Sequence, residues 1–163
     1  MRLAAFALSL AALPAAAQDL IVQFADSGPL PVISFTTSGC DIANAMVMLD
    51  LAGSAAGYSF DGTRTATALK PVEIAHGYGA LSPVRNGDKR LQLLVHSLVS
   101  GDTLDLHAGL SDAAGAGAGD AGMAGASVRL ALRDRVVSGV FDAGGTARIA
   151  LPDDGRFCIA AAE

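Results

Sequence analysis

Apolar and polar residues alternate along several stretches of this chain. In AMVMLDLAG (residues 45–53), every second residue from Val47 to Leu51 is aliphatic. The same two-residue period recurs in KRLQLLVHSL (89–98), TLDLHAGL (103–110) and ASVRLALRD (126–134). Successive side chains of a β-strand point to opposite faces, so this period predicts strands. No stretch of comparable length combines apolar residues at helical spacing with helix caps, so we expect no long helix after the N-terminal segment.

Turn-forming residues separate these stretches. Glycine stands with asparagine, aspartate or serine in NGD (86–88), SGD (100–102), DAGG (142–145) and PDDG (152–155), and these residues adopt hairpin-turn conformations at little cost. Further strand-like stretches are DLIVQFAD, VISFTT, TATALKPVEIA, RVVSGVFD, TARIA and RFCIA. The spacing predicts about ten short strands and an all-β fold, an antiparallel β-sandwich of immunoglobulin-like or jelly-roll-like type. Pro71 interrupts one stretch, which places that strand at a sheet edge or at a break.

One stretch, residues 111–126, differs from the rest in composition. It reads SDAAGAGAGDAGMAGA and consists almost entirely of glycine and alanine. Such side chains bury too little apolar area to offset the entropy lost on ordering the backbone. We therefore expect a long mobile loop. A phosphate-binding role is disfavoured because no lysine follows the glycines in the required position.

The N-terminus has the pattern of a secretory signal peptide. One positive charge at Arg2 precedes an apolar run from Leu3 to Leu13 and three alanines. Cleavage between Ala17 and Gln18 would leave a single domain over residues 18–163. The apolar run is shorter than the roughly 20 residues that a membrane-spanning helix needs. The sequence thus predicts a secreted or periplasmic protein that does not span a membrane.

Export affects how the two cysteines are interpreted. Cys40 follows VISFTT and Cys158 lies in RFCIA, near the end of the chain. Thiols in an oxidising compartment pair by default, so we predict a Cys40–Cys158 disulfide. Two separate buried thiols are the alternative. A metal site at these cysteines is disfavoured, because neither belongs to a CxxC motif or has a histidine close by in sequence.

The charge balance bears on the partners. Removal of residues 1–17 takes away Arg2 and leaves ten basic residues against 16 acidic ones. Nucleic acids and anionic membranes select basic patches, and the densest basic spot, NGDKR, is better interpreted as a turn. We therefore expect protein or polysaccharide at the cell surface as partners, or self-association, and no nucleic acid.

No residue pattern identifies a catalytic centre. The chain has no GxSxG motif, and Ser54 in LAGSAAG is best interpreted as part of a tight loop. Asp153 and Asp154 are adjacent in PDDG, which is typical of a turn and not of an acid/base pair. The sequence therefore assigns no catalytic residue.

Two weak metal-binding patterns are present. If SGD closes a hairpin, His96 and His107 lie on neighbouring strands, and with Asp105 they could hold zinc or copper. Solvated polar positions are the alternative. Acidic residues also surround the Gly/Ala-rich stretch, and oxygen-rich loops at one end of a sandwich suit calcium. The candidate metal ligands are Asp102, Asp105, His107, Asp112 and Asp120.

Several segments resemble a group of small secreted bacterial proteins described as aggregation factor core proteins, which are named for their similarity to sponge aggregation-factor subunits. The segments are TSGCDIANAMVMLDLAGSAAGYSFD (37–61), NGDKRLQLLVHSLVSGDTLDL (86–106), MAGASVRLAL (123–132) and GVFDAGGTARIAL (139–151). The resemblance implies an extracellular β-sandwich with an adhesive or calcium-dependent association role.

Three functional hypotheses follow. The first is an exported, non-enzymatic β-sandwich that acts in cell-surface or extracellular adhesion, assisted by calcium or free of any cofactor. The second is a periplasmic metal-binding protein or enzyme that uses His96, His107 and Asp105. The third is a periplasmic structural subunit that exchanges a strand at an exposed sheet edge.

Overall fold

Strands that alternate buried and exposed residues make up most of the residues that the structure describes. The computed structural model describes residues 18–26, 30–61, 72–113, 119–133 and 135–152. In chain order the elements are β1 (Asp19–Ala25), β2 (Val32–Ser38), β3 (Ile42–Asp50), β4 (Ser59–Phe60), β5 (Val72–His76), β6 (Tyr78–Leu81), β7 (Arg90–Leu98), β8 (Thr103–Ala108), β9 (Leu110–Ser111), the 3₁₀ helix η1 (Asp120–Met123), β10 (Ser127–Ala131), β11 (Val136–Val140) and β12 (Thr146–Ala150). No α-helix occurs in these ranges, so the predicted all-β fold is confirmed.

Ten of the strands form two antiparallel sheets that pack face to face as a sandwich. Sheet A has the strand order β12-β1-β2-β8-β5, and sheet B has the order β11-β10-β3-β7-β6. The short strands β4 and β9 pair with each other. The alternation in the sequence predicted the long strands, whereas β4, β6 and β9, with two to four residues each, are too short to show a period.

The core lies between the two sheets. Strands of both sheets turn every second residue inward, and these residues form one hydrophobic cluster. Its largest fully buried side chains are Leu20, Ile33, Phe35, Leu49, Leu51, Phe60, Leu91, Leu93, Leu104, Leu106, Leu110 and Met123. Burial of one such side chain contributes about 1.5–3 kcal/mol, so this cluster is the main stabilising feature of the fold.

The two sheets approach each other closely along both sides of the sandwich. On one side, the single residue Gly77 joins β5 of sheet A to β6 of sheet B. On the other side, a Cβ atom on Gly139 of β11 would lie only 2.6 Å from the carbonyl oxygen of Arg148 on β12. Glycine at 139 therefore allows the backbones of the two edge strands to contact each other. The strand after Pro71, β5, is an edge strand, as the proline predicted.

The Gly/Ala-rich stretch is more ordered than its composition predicted. Residues 119–126 pack against the sandwich, and Met123 has no exposed surface. The backbone N–H of Gly125 donates to the carbonyl oxygen of Phe141 at 2.9 Å. The last eight residues of the stretch are thus part of the packed structure, while its middle lies outside the described residues, and the mobile loop over residues 111–126 stays a prediction.

The hairpin expected at SGD does not form. This turn joins β7 of sheet B to β8 of sheet A, so the chain passes from one sheet to the other at this point. The backbone N–H of Ser100 donates to Asp41 Oδ1 at 2.8 Å, and the N–H of Gly39 donates to Ser100 Oγ at 3.0 Å. These bonds tie the β7–β8 connection to the β2–β3 connection, which also crosses between the sheets.

Several sequence-based predictions concern parts of the chain outside the described residues. These parts are the predicted signal peptide (1–17) with Ala17 of its cleavage site, the first part of the strand predicted at TATALKPVEIA up to Pro71, the PDDG turn from Asp153 onwards, the strand predicted at RFCIA, and Cys158. The cleavage between Ala17 and Gln18 and the Cys40–Cys158 disulfide accordingly stay predictions. Cys40 itself is buried and lies in the connection between β2 and β3.

Candidate functional site

The outer face of sheet A is polar along its middle. Cross-strand pairing places one residue from each strand in a row, and the row consists of Thr146, Gln23, Ser34, Asp105 and His76. These polar side chains lie on the solvated side of the sheet, although Asp105 Oδ1 is itself buried and has no hydrogen-bond partner among the described residues. An antiparallel sheet with one buried and one solvated face has this arrangement, so the row needs no partner.

The histidines predicted as a metal pair lie in different sheets. His96 is on β7 of sheet B, whereas His107 is on β8 of sheet A, because the hairpin at SGD does not form. His96 instead contacts the ring of Tyr78, with ring centroids 5.0 Å apart. His107 Nδ1 lies 3.6 Å from Glu73 Oε1 on the neighbouring strand. The predicted combination of His96, His107 and Asp105 is therefore not brought together.

The acidic candidates for calcium are also dispersed. Strands β1 and β8 run in the same direction, because both are antiparallel to β2. Asp102 precedes β8, whereas Asp120 lies at the other end of the sandwich, where its Oδ1 accepts a hydrogen bond from the N–H of Asp26 after β1. Asp112 follows β9 and does not join Asp102. No group of three histidine, cysteine, aspartate or glutamate side chains that could hold a metal ion occurs among the described residues.

Ser54 has a structural position. Its side chain is buried, its hydroxyl donates to the carbonyl oxygen of Leu51 at 2.7 Å, and its oxygen accepts from the N–H of Tyr58 at 2.8 Å. These bonds close the loop after β3, in agreement with the tight turn predicted there.

The outer face of sheet B differs from that of sheet A, because an apolar row crosses all five of its strands. In strand order the row is Val136, Ala131, Met46, Leu94 and Ala80. Val136 is 63 % exposed and Met46 is 36 % exposed, and Val140 on the same edge strand is also exposed. We call these five residues the apolar row. It is the candidate functional site of the described structure.

The apolar row was not predicted from the sequence, although the sequence contains a signal for it. The outward positions of β3 and β7 hold Met46, Met48 and Leu94, where a solvated strand face normally carries polar residues. Alternation of apolar and polar residues distinguishes the buried face of a strand from its exposed face, but at these positions both faces are apolar. The pairing register was needed to show that the outward apolar residues of different strands line up.

An ion pair lies at the end of this face where β3 ends and β7 begins. Arg90 Nε lies 2.9 Å from Asp50 Oδ2, and the N–H of Ala52 donates to Asp50 Oδ1 at 3.0 Å. The hydrogen bond from Ala52 and the interactions with Arg90 lower the pKa of Asp50 below its ordinary value of 3.8, and partial burial opposes this change. Arg129 on β10 adds a smaller favourable charge interaction.

Substitution of Asp50 by asparagine is expected to lower the free energy of unfolding by about 0.5–1 kcal/mol at pH 7, a modest amount because Arg90 is largely exposed. A carboxyl whose pKa is lowered in the folded state stabilises the protein above its unfolded-state pKa. The difference in the free energy of unfolding between wild type and variant should therefore persist at neutral pH. It should disappear as the pH falls below 3.8 and through the lower pKa of Asp50 in the folded state. Urea unfolding across this pH range measures it. A difference that is the same at every pH would contradict a stabilising role of the ionised Asp50 carboxylate. Arg90→Gln is the matched variant, because it removes the other partner of the same ion pair.

Comparisons with protein-family models, with curated proteins and with solved structures find no match for this chain. The resemblance to aggregation factor core proteins thus stays a prediction from the quoted segments. Across the described ranges, no helix has the length and apolar character needed to cross a membrane.

Proposed function

We propose that this protein is an exported, non-enzymatic contact module that self-associates through the outer face of sheet B. The observation that supports the proposal is the apolar row, which continues without a charged residue from one edge of the sheet to the other. Continuous exposed apolar patches on soluble domains commonly mark interaction sites. An adhesive role in the secreted or periplasmic space, as the sequence predicted, is consistent with such a surface.

The order of large and small side chains in the apolar row suits a second copy of the same chain. Consider a two-fold axis that runs parallel to the strands and passes over Met46 of the central strand β3. It places Val136 of one copy against Ala80 of the other, and Ala131 against Leu94. Each large side chain then meets a small one, and the two Met46 side chains meet at the axis. Such an isologous contact is the commonest arrangement in homodimers.

The neighbouring row is compatible with the same axis. It contains Ser138, Arg129, Met48 and Gln92. The axis places Arg129 of one copy against the neutral side chain of Gln92 on the other, and Met48 against Met48. No like charges face each other in these two rows, so the contact carries no electrostatic penalty at its centre.

The size of the face sets the expected affinity. Five strands at a spacing of about 4.8 Å are about 24 Å wide, and strands of this length are about 20 Å long. Two such faces bury about 1,000 Å² before corrugation is counted, which is near the lower limit for a specific interface. We therefore expect a weak dimer with a dissociation constant in the micromolar range.

The central prediction concerns Met46. In Met46→Glu, two like charges would face each other at the axis, so the dimer should dissociate at every concentration that gives dimer with wild type. Light scattering after size-exclusion chromatography, or sedimentation equilibrium over a concentration series, measures this. Met46 is partly exposed, so the variant should fold, and a thermal melt checks that it does.

Two further samples make the test specific. Gln23→Glu adds the same charge to the outer face of sheet A and should leave the dimer unchanged. A mixture of Met46→Glu and Met46→Lys should form a heterodimer, because opposite charges then meet at the axis. A wild-type protein that stays monomeric at millimolar concentration would refute self-association. A Met46→Glu variant that still dimerises would place the contact on another surface.

Calcium has no part in this contact, because the apolar row offers no oxygen ligands. Addition of a chelator should leave the dimer mass unchanged. Dissociation of the dimer by a chelator would favour the calcium-dependent association implied by the resemblance over the contact proposed here.

A further inference from the structure

A second feature lies at the end of the sandwich where the β5–β6 connection meets the β7–β8 connection. A cavity of about 220 Å³ opens there, lined by residues that include His76, Tyr78, Ser97, Asp102 and Thr103. Leu98, a buried core residue, forms part of its wall. The cavity is somewhat smaller than the pockets of about 300–1,000 Å³ that hold drug-sized molecules, so it suits a small ligand.

Gly77 shapes this cavity. Its φ of 93° lies in the left-handed region, and a Cβ atom at this position would lie 2.9 Å from the Cα, Cβ and Cγ atoms of Leu104. Only glycine therefore allows the chain to bend from sheet A to sheet B so close to the core. The bend places His76 and Tyr78, the residues on either side of it, at the same opening.

The side chain of Tyr78 lies at the cavity and is open to solvent. Its side chain is one of the most exposed large hydrophobic groups in the described chain, at 69 %, whereas Tyr58 is buried in the core. The ring of His96 packs against it, with centroids 5.0 Å apart and planes at 41°. The pairing register of β6 and β7 also shifts between Tyr78 and Gly79, and such bulges often re-aim a side chain beside a binding site. The Tyr78 ring is thus held in place and remains open to solvent.

The other lining groups are polar and carry little charge. Asp102 contributes one carboxylate, His76 an imidazole, and Ser97 and Thr103 their hydroxyl groups. Among the described residues no lysine or arginine lines the cavity, so a phosphate or another anion would have no cationic partner there. Neutral hydroxyl groups match these donors and acceptors, and a carboxylate accepts two hydrogen bonds from adjacent hydroxyls.

We propose that this cavity binds one sugar ring, with the C–H face of the ring against Tyr78 and the ring hydroxyls bonded to Asp102, His76 and the hydroxyl groups of Ser97 and Thr103. The site would bind and not hydrolyse, because glycosidases of the common type need two carboxylates on either side of the bond and Asp102 is the single carboxylate among the lining residues. A terminal sugar of a surface polysaccharide is then a ligand. This inference does not depend on self-association.

The test is a titration of ¹⁵N-labelled full-length mature protein with the methyl glycosides of glucose, galactose and mannose, each followed by NMR. The expected result is that at least one sugar shifts the amide signals of residues 76–78 and 97–103 with millimolar affinity. Tyr78→Ala should weaken binding roughly tenfold, because it removes the stacking surface. Tyr78→Phe keeps the ring and should bind within about twofold of wild type.

Asp102→Asn provides a second, independent variant in a turn and should also weaken binding roughly tenfold through loss of charge-assisted hydrogen bonds. Val140→Ala alters an exposed residue of β11, at the opposite edge of sheet B from β6, and should bind as wild type does. The proposal is overturned if none of the three sugars shifts these amides, or if Tyr78→Ala and Asp102→Asn both bind like wild type. Because Met46→Glu tests dimerisation alone, each proposal can fail without the other.

Discussion

Replacement of Met123 by alanine is expected to lower the free energy of unfolding by about 2–5 kcal/mol. Met123 lies in η1, within the Gly/Ala-rich stretch, and is among the largest fully buried side chains of the described structure. Alanine would remove apolar contacts and leave a cavity that the surrounding strands can close only in part. If residues 119–126 were a mobile loop, as composition predicted, the same substitution would have almost no effect.

Urea unfolding followed by circular dichroism measures this loss, with two methionine controls. Met46→Ala removes the same atoms from a partly exposed position on sheet B and should cost less than about 1 kcal/mol. Met123→Leu nearly conserves the volume and should cost less than about 1.5 kcal/mol. Equal and small losses for Met123→Ala and Met46→Ala would show that the packing of Met123 contributes nothing to stability.

The alternation of residues predicted the long strands well, for a simple physical reason. A strand with one face in the core must place apolar side chains at every second position, and β3, β7, β8 and β10 do so. This rule concerns each strand by itself and does not depend on its neighbours. It therefore identifies strands from the sequence without any knowledge of the sheet to which they belong.

The pairing of strands could not be predicted in the same way. The inward leucines of β7 and β8 are buried whether these strands share a sheet or face each other across the core. In the structure the turn between them is tied, through Ser100, to Gly39 and Asp41, which lie 61 and 59 positions earlier in the sequence. The position of His96 relative to His107 depends on this choice, which is why the predicted metal site was not formed.

The packing of the Gly/Ala-rich stretch could not be predicted from its composition, because composition reports side-chain volume only. A Cβ atom on Gly53 would lie 2.4 Å from the carbonyl oxygen of Gly125, so the two backbones are nearly in contact. Here glycine serves close approach and not flexibility. With Met123 as its one large side chain, the segment fills the end of the sandwich. Amino-acid content alone does not distinguish glycines that allow close backbone approach from glycines that give flexibility.

The predicted Cys40–Cys158 disulfide would be a further large contribution to stability. Cys40 is buried, and Leu151 and Pro152 line the same small cavity as Cys40. The N–H of Leu151 donates to the carbonyl oxygen of Gln18 at 2.8 Å, which holds this end of the chain beside β1. Six further residues reach Cys158 and can extend about 20 Å, so a bridge to Cys40 is well within their span.

Loss of this bridge, by Cys158→Ser or by reduction of the wild type, should lower the free energy of unfolding by about 4–5 kcal/mol, the value expected for a closed loop of about 100 residues. Both treatments act mainly by freeing the unfolded chain, so their effects should agree, and reductant should not destabilise Cys158→Ser further. Protein purified from an oxidising compartment should take up no alkylating agent until it is denatured and reduced, and then two equivalents by mass. Uptake of two equivalents by the denatured protein without reductant would show that the thiols are unpaired. The buried position of Cys40 would then reflect core packing alone, and the stability difference between wild type and Cys158→Ser should vanish in the same experiment.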